Sequence, residues 1–391
     1  MNHVQSSKFN FDEVIQRRGT GCVKWDEAPD EDVIPLWVAD MDFAVAPAIQ
    51  EAIRQRAEHP VFGYTYVQDD YYEAVIGWFW RRHQWDIRRE WILYTTGVVP
   101  AMSVAVKALT MPGERVLILS PDYNCFFTSI RNNGCEVAES VLRLNGSQPG
   151  RFEVDWEDFE AQCADEKTTL FLLCNPHNPT GRVWTRAELE RMRDTCRRHQ
   201  VRIVADEIHC ELVMPGIAYC PMGTVDGEAV ILNSPSKSFN IAGLMMANII
   251  CQDAATRRRL DRAININEVC DVNPFAPVAV TAAYNDGEAW LDALNAYICD
   301  NYNALCGFAA QSLPGWRVMP LEGTYLAWVD VSACCDSVAT YCEELLDEAR
   351  VWVNPGTMYG RESGEGYLRI NLACPRSRLM EALNRIKQTI K

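Results

Sequence analysis

The chain lacks any excess of positive charge, any apolar run long enough for a bilayer, and any paired-cysteine or paired-histidine spacing. Lys and Arg total 37 against 53 Asp and Glu, a formal net charge of −16. That balance excludes a nucleic-acid backbone or an anionic membrane as the expected partner and leaves room only for local positive pockets. No uninterrupted apolar stretch approaches the roughly 20 residues of a membrane span. Residues 1–14 carry no basic-then-apolar signal pattern, so a cytoplasmic location is expected. The sixteen cysteines include no C-x-x-C pair, and the adjacent Cys334 and Cys335 are poorly placed for a disulfide or a zinc site. Cys174, Cys251 and Cys374 lie in apolar runs, where a thiol serves as a small hydrophobe, and reduced thiols are expected throughout. The six histidines show neither H-x-H nor H-x-x-x-H, so no metal is expected. Low-complexity linkers and internal repeats are also missing.

What remains is the text of a globular α/β protein. At 391 residues the chain is long enough for two domains. Short, almost continuously apolar runs at 92–96, 115–119, 169–174, 201–205, 229–232 and 246–251 alternate with helical patterns at 47–59, 71–82 and 98–111. Thr185 and Glu188 form a capping box that opens another helix, with Leu189, Met192 and Cys196 on one face. Such runs point to a mostly parallel sheet covered on both faces. Beyond residue 286 the pattern becomes α+β, with helices over 288–313, 337–349 and 376–390 and strands over 325–329 and 367–374. A lead-in holds one short helix over 11–18 and a strand-like piece over 34–39. The expected division is a large domain over 46–285 and a small one made of 1–45 with 286–391.

Ligands bind beyond the carboxyl ends of the strands in such sheets. Gly97, Tyr123, Asn178, Asp206, Ser234 and Lys237 each follow a strand. Taken alone, Ser234-Pro-Ser-Lys237 reads more readily as an exposed loop lysine than as a nucleophilic amine flanked by two hydroxyls. Asn175-Pro-His-Asn-Pro-Thr-Gly181 is the most specific stretch, a rigid turn chain at a strand end. Asp206-Glu207 closes the next strand, and Lys237 follows 31 residues after Asp206.

These three motifs, in this order and spacing, resemble those of the fold-type I pyridoxal-phosphate enzymes of the class I/II aminotransferase superfamily. The resemblance implies a seven-stranded-type, mostly parallel sheet with a smaller α+β domain, and pyridoxal 5′-phosphate as cofactor. It implies that Lys237 carries the cofactor as a Schiff base and then acts as the general base at the substrate Cα. Asp206 would pair with the pyridinium nitrogen, Asn178 would bond the phenolate oxygen, and Tyr123 would stack on the ring. Gly97, Val98 and Val99 open a helix whose N–H groups would take the phosphate, with Ser234 and Ser236 beside them. Arg369 would bind the substrate carboxylate bidentately; the alternative for it is an internal salt bridge. Two positions depart from the family pattern. His209 stands where a tyrosine is usual, and Met245 stands where relatives keep a phosphate-binding arginine.

Residues 17–26, 35–43 and 62–66, Asp206-Glu-Ile-His209, Ser236-Lys-Ser-Phe-Asn-Ile241 and Asn354-Pro-Gly356 are similar to the MalY/PatB-type cystathionine β-lyases. That likeness implies β-elimination from L-cystathionine and related S-substituted cysteines, releasing pyruvate, ammonia and a thiol. Tyr123 or Lys237 would protonate the leaving sulfur. Trp37, Ala39 and Asn354 would line the substrate side; core packing is the alternative for Trp37. A true aminotransferase, or a regulator acting by binding a transcription factor, are the rival readings. A homodimer with shared active sites is expected by analogy, Tyr64 and Asn273 being the residues lent to the neighbour.

Overall fold

The computed structural model describes residues 9–146 and 150–389. Its centre is a seven-stranded sheet of β1 (Ile92–Thr95), β2 (Arg115–Ser120), β3 (Glu136–Val141), β4 (Thr168–Cys174), β5 (Arg202–Asp206), β6 (Val230–Asn233) and β7 (Ala247–Ile250). In space the order is β1-β7-β6-β5-β4-β2-β3, and only β7 runs against its neighbours. Alternate residues along the strands enter two separate apolar layers. Leu117, Phe171, Ile203 and Ile231 join one; Val116, Leu170, Val204 and Val230 join the other. Both faces are therefore dry, which is why the strands read as unbroken apolar runs. Helices Val98–Leu109 and Ala254–Ile266 cover the second layer, and helices Asp69–His83, Arg186–Arg198 and Ala276–Asp286 the first.

A second, antiparallel sheet consists of β8 (Arg317–Val318), β9 (Leu326–Asp330), β10 (Asn354–Pro355) and β11 (Tyr367–Asn371), in the order β8-β9-β11-β10. Arg369 lies in its interior, opposite Trp328 on one side and Asn354 on the other. Ile34–Pro35 pairs in parallel with Val351–Trp352. This pairing ties the lead-in to the C-terminal part.

Most expected elements are present within a residue or two. The capping box at Thr185 and Glu188 forms with both reciprocal bonds. Two expectations in the lead-in are corrected. Residues 11–18 are not helical; a single helical turn occurs later, at Val23–Asp26. The strand expected over 34–39 stops at Pro35, and residues 37–43 form an irregular strap instead, bent at 38–39 and 42–43. The closing helix is described to Thr389, and Ile390 lies outside the described residues. Strand β3 was not legible, because its sequence is that of a sheet edge: Glu136, Glu139 and Val141 face outward and only Ala138 and Ser140 are buried. All sixteen cysteines are free thiols. Among the described residues no helix is long and apolar enough to cross a membrane.

Candidate functional site

The parallel strands deliver their carboxyl ends to one edge of the central sheet, and the residues leading into the reversed β7, Met245 and Met246, reach the same edge. A cavity of about 230 Å³ opens there. Gly97 turns the chain from β1 into helix Val98–Leu109 at φ 152°, a region essentially reserved for glycine. The N–H groups of Val98 and Val99 therefore open the helix at the cavity wall, unclaimed by a side-chain cap.

Lys237 and Asp206 both line this cavity. The Lys237 amine donates to the Ala39 carbonyl at 2.6 Å. Burial lowers its pKa to about 8, an effect that Asp40 opposes and Arg369 reinforces. The Asp206 carboxylate accepts from the Ile208 N–H at 3.0 Å. Burial raises it to about 7, and the Ile208 N–H and Lys237 offset only part of the cost. His209 also lines the cavity; burial, with Lys237 and Arg369 nearby, depresses its ring to about 3 and keeps it neutral. Its Nδ1 is buried without a partner among the described residues.

The Asn-Pro turn chain is held by its own histidine. His177 bonds Thr180 at 2.8 Å and the Leu119 carbonyl at 3.1 Å. Gly181 completes the turn at φ 71°, where a Cβ would collide with Leu321. This frame sets Asn178 on the cavity wall, where its Oδ1 accepts from Arg369 Nη1 at 3.1 Å. Arg369 also donates through Nη2 to the Trp37 carbonyl at 2.9 Å, and its guanidinium lies 4.6 Å from the centre of the Tyr359 ring. Its Nε is buried without a partner, and it has no carboxylate partner among the described residues. The alternative of an internal salt bridge is not realised there. Tyr123 presents its ring to the cavity; burial and the Cys125 thiol push its hydroxyl well above the usual phenol range.

Ser236 and Ala39 also line the cavity. Three expected residues are placed otherwise. The Ser234 hydroxyl donates to the Met246 carbonyl at 2.6 Å and accepts from the Ser236 N–H, so it builds the turn rather than facing the cavity. The Trp37 ring stacks on Trp352 at 4.3 Å, and its indole N–H donates to the Lys24 carbonyl. Only the Trp37 backbone serves the site. Asn354 gives its amide to the Trp37 carbonyl and to the Tyr359 hydroxyl. Tyr64 is 99% exposed, and Asn273 Nδ2 donates to the Leu244 carbonyl at 2.6 Å. Residues not anticipated are Tyr325, whose hydroxyl donates to the Ala39 carbonyl, and Tyr359 beneath Arg369. Both are tyrosines in ordinary core text, and nothing local to them marks a site.

A lysine and an aspartate brought to one pocket at the carboxyl edge of a doubly covered α/β sheet, with an unpaired buried arginine supplied from a second sheet, define a class of lysine-centred α/β enzymes. The family model Aminotransferase class I and II matches residues 31–386, and the chain belongs to that family. It is 38% identical over 390 residues to cystathionine beta-lyase PatB of Bacillus subtilis (strain 168), covering 98% of this chain and 100% of that one. It is 35% identical to Protein MalY of Escherichia coli (strain K12), covering 95% and 96%. Among solved structures it is similar to the PLP-bound C-S lyase from Staphylococcus hominis, with a TM-score of 0.90, 33% identity and coverage of 98% and 99%.

Proposed function

We propose that this protein is a pyridoxal-phosphate-dependent carbon–sulfur β-lyase that cleaves L-cystathionine and related S-substituted L-cysteines to pyruvate, ammonia and a thiol. The observation that carries the reading is the cavity holding Lys237 and Asp206, with Arg369 bonded to Asn178 on its wall, in a chain similar over its whole length to cystathionine β-lyases. The donor set fits the cofactor. Asp206 is a buried carboxylate that needs a cationic partner, His209 Nδ1 is an orphaned buried nitrogen, and the helix after Gly97 offers N–H groups for a phosphate.

Pyridoxal phosphate, when bound, supplies the electron sink that makes the substrate Cα proton acidic and lets the β-substituent depart. Asp206 would keep the cofactor's ring nitrogen protonated, Asn178 and neutral His209 would serve its ring oxygen, and Tyr123 would pack on its ring. Val98, Val99 and Ser236 would hold its phosphate. Arg369 takes the substrate carboxylate bidentately, and Asn178 and the Trp37 carbonyl keep its guanidinium oriented. The Lys237 amine, uncharged at modest cost because burial has already lowered its pKa, removes the Cα proton. Tyr123 retains its proton at neutral pH, and either it or the Lys237 ammonium formed on proton removal supplies the proton to the leaving thiolate.

The division into a large unit over 46–285 and a small one over 1–45 with 286–391 would let the lysine and the carboxylate-binding arginine approach from opposite sides. The exposed Val61, Phe62, Tyr64 and Tyr66 support a homodimer in which this loop enters the neighbour's site. The deciding experiment adds L-cystathionine to the yellow holoenzyme without any keto acid. Sustained release of pyruvate and thiol is expected. Turnover only after 2-oxoglutarate is supplied would identify an aminotransferase instead.

A further inference from the structure

The strap over residues 37–43 is held in an unusual way: its backbone carbonyls are claimed one after another by side chains. The Trp37 oxygen accepts from Asn354 and Arg369. The Val38 oxygen accepts from Asn371 at 2.6 Å, and the Ala39 oxygen from Lys237 at 2.6 Å and Tyr325 at 2.9 Å. The Asp40 oxygen accepts from Asn371 and Lys24, the Met41 oxygen from Asn240 and Arg17, and the Phe43 oxygen from Asn240. Four charges lock the outer side. Arg17 grips Asp40 through Nη2 at 2.8 Å and Nη1 at 3.1 Å, and Asp42 through Nη1 at 2.8 Å. Lys24, completely buried, lies 3.0 Å from Asp42 and 3.7 Å from Asp40.

We propose that Asp40, restrained by Arg17 and Lys24, is a positioning residue for the reactive lysine: it seats the Ala39 carbonyl on the Lys237 amine and supplies the negative charge that balances that amine when it is free. The inference rests on the lyase reading for its consequence but not for its geometry. The Ala39 carbonyl is the one hydrogen-bond partner of the Lys237 amine among the described residues. The groups around that amine are Asp40 on the strap, Asp206 at the end of β5 and His209 just after it, Cys125 and Tyr123 on the segment after β2, Arg369 on β11, and Tyr325 sharing the same carbonyl. Arg369 and Asp206 oppose each other in sign, which leaves Asp40 as the charge that tips the balance. Its own partners, Arg17 and Lys24, in turn mute it.

This arrangement makes two substitutions act with opposite sign. Asp40→Asn keeps the side-chain shape and removes the charge, so the Lys237 amine loses its proton more readily. Arg17→Gln removes a nearby positive charge and unmasks Asp40, so the amine holds its proton more tightly. The test follows competitive acetylation of Lys237 by acetic anhydride against pH. It uses the full-length chain stripped of cofactor and quantifies the peptide by mass spectrometry, with circular dichroism as a check on folding. In Asp40→Asn the midpoint moves down, giving at least about a threefold rise in labelling at pH 7; in Arg17→Gln it moves up. A merely structural strap would loosen in both variants and move both midpoints the same way. That result, or no shift in either, overturns the proposal. If Asp40→Asn does not fold, Asp40→Glu in its place should leave the midpoint unmoved while Arg17→Gln still raises it; failure of Arg17→Gln to raise it overturns the proposal. Failure of the wild-type holoenzyme to cleave L-cystathionine would instead refute the lyase reading and leave these midpoints standing.

Discussion

Lys237 combines two properties that rarely coincide: a tether at the end of a buried strand, and an amine whose charge is already disfavoured. Lys237→Ala is expected to lower pyruvate release from L-cystathionine by at least the roughly 10²–10⁴-fold typical of a lost general base, while a primary amine added in solution restores part of it. The pH dependence follows from the same residue. Burial lowers the amine to about 8, so the neutral, proton-accepting form gains as pH rises through that value. Acetylation of Lys237 in the cofactor-free chain should therefore rise with a midpoint near 8; a midpoint near the ordinary lysine value of about 10.4 would show that burial does not act as described. At this scale the motif residues were legible, because Asp206, Asn178 and Lys237 are each placed by a few neighbouring residues. Ser234 and Trp37 were not. The direction of the Ser234 hydroxyl depends on Met246 across the next turn, and that of the Trp37 indole on Trp352, far along the chain.

The elements that carry these residues owe their positions to a few local decisions. Gly97 is one, since its φ of 152° is not open to a residue with a Cβ. Gly97→Ala should cost about 1–3 kcal/mol of stability and weaken cofactor retention, read by thermal denaturation and by dialysis against buffer. The capping box at Thr185 is another: Thr185→Ala should cost about 1 kcal/mol and leave catalysis unchanged, because helix Arg186–Arg198 touches no part of the cavity. Strands buried on both faces announced themselves as apolar runs, and helices by their caps and spacing. The lead-in did not. The strap over 37–43 is shaped by partners more than 180 residues away, such as Asn240 and Asn371, and no local periodicity encodes that.

Across the whole molecule the lead-in works as a fastener rather than a tail. Asp42 shows how tightly it is sewn in. Burial would raise its carboxyl, but Lys24, Trp25 and Arg17 more than reverse this and hold it below the usual carboxylate range. A depressed folded-state pKa contributes stability that is present above the unfolded value of about 3.9 and is lost as pH falls through the folded one. Acid unfolding should accordingly begin at higher pH in Asp42→Asn than in the parent, as followed by circular dichroism. Asp42→Ala should destabilise by about 3 kcal/mol at neutral pH, since it leaves the buried Lys24 charge with only the more distant Asp40. The expected dimer belongs to this scale too. Sedimentation equilibrium should give twice the chain mass of 44.3 kDa, and Phe62→Asp with Tyr66→Asp should shift the mass toward the monomer.

The strap has one further consequence, for how the site could change over generations. It is gripped largely by its backbone oxygens, so the side chain of Ala39, which lines the cavity, takes little part in holding it, whereas Met41 is anchored in the core. Mutation at Ala39 can reshape the cavity wall without disturbing the frame. A laboratory search for new sulfur substrates would do well to begin there, with Asn240, Asn371 and Arg17 left untouched.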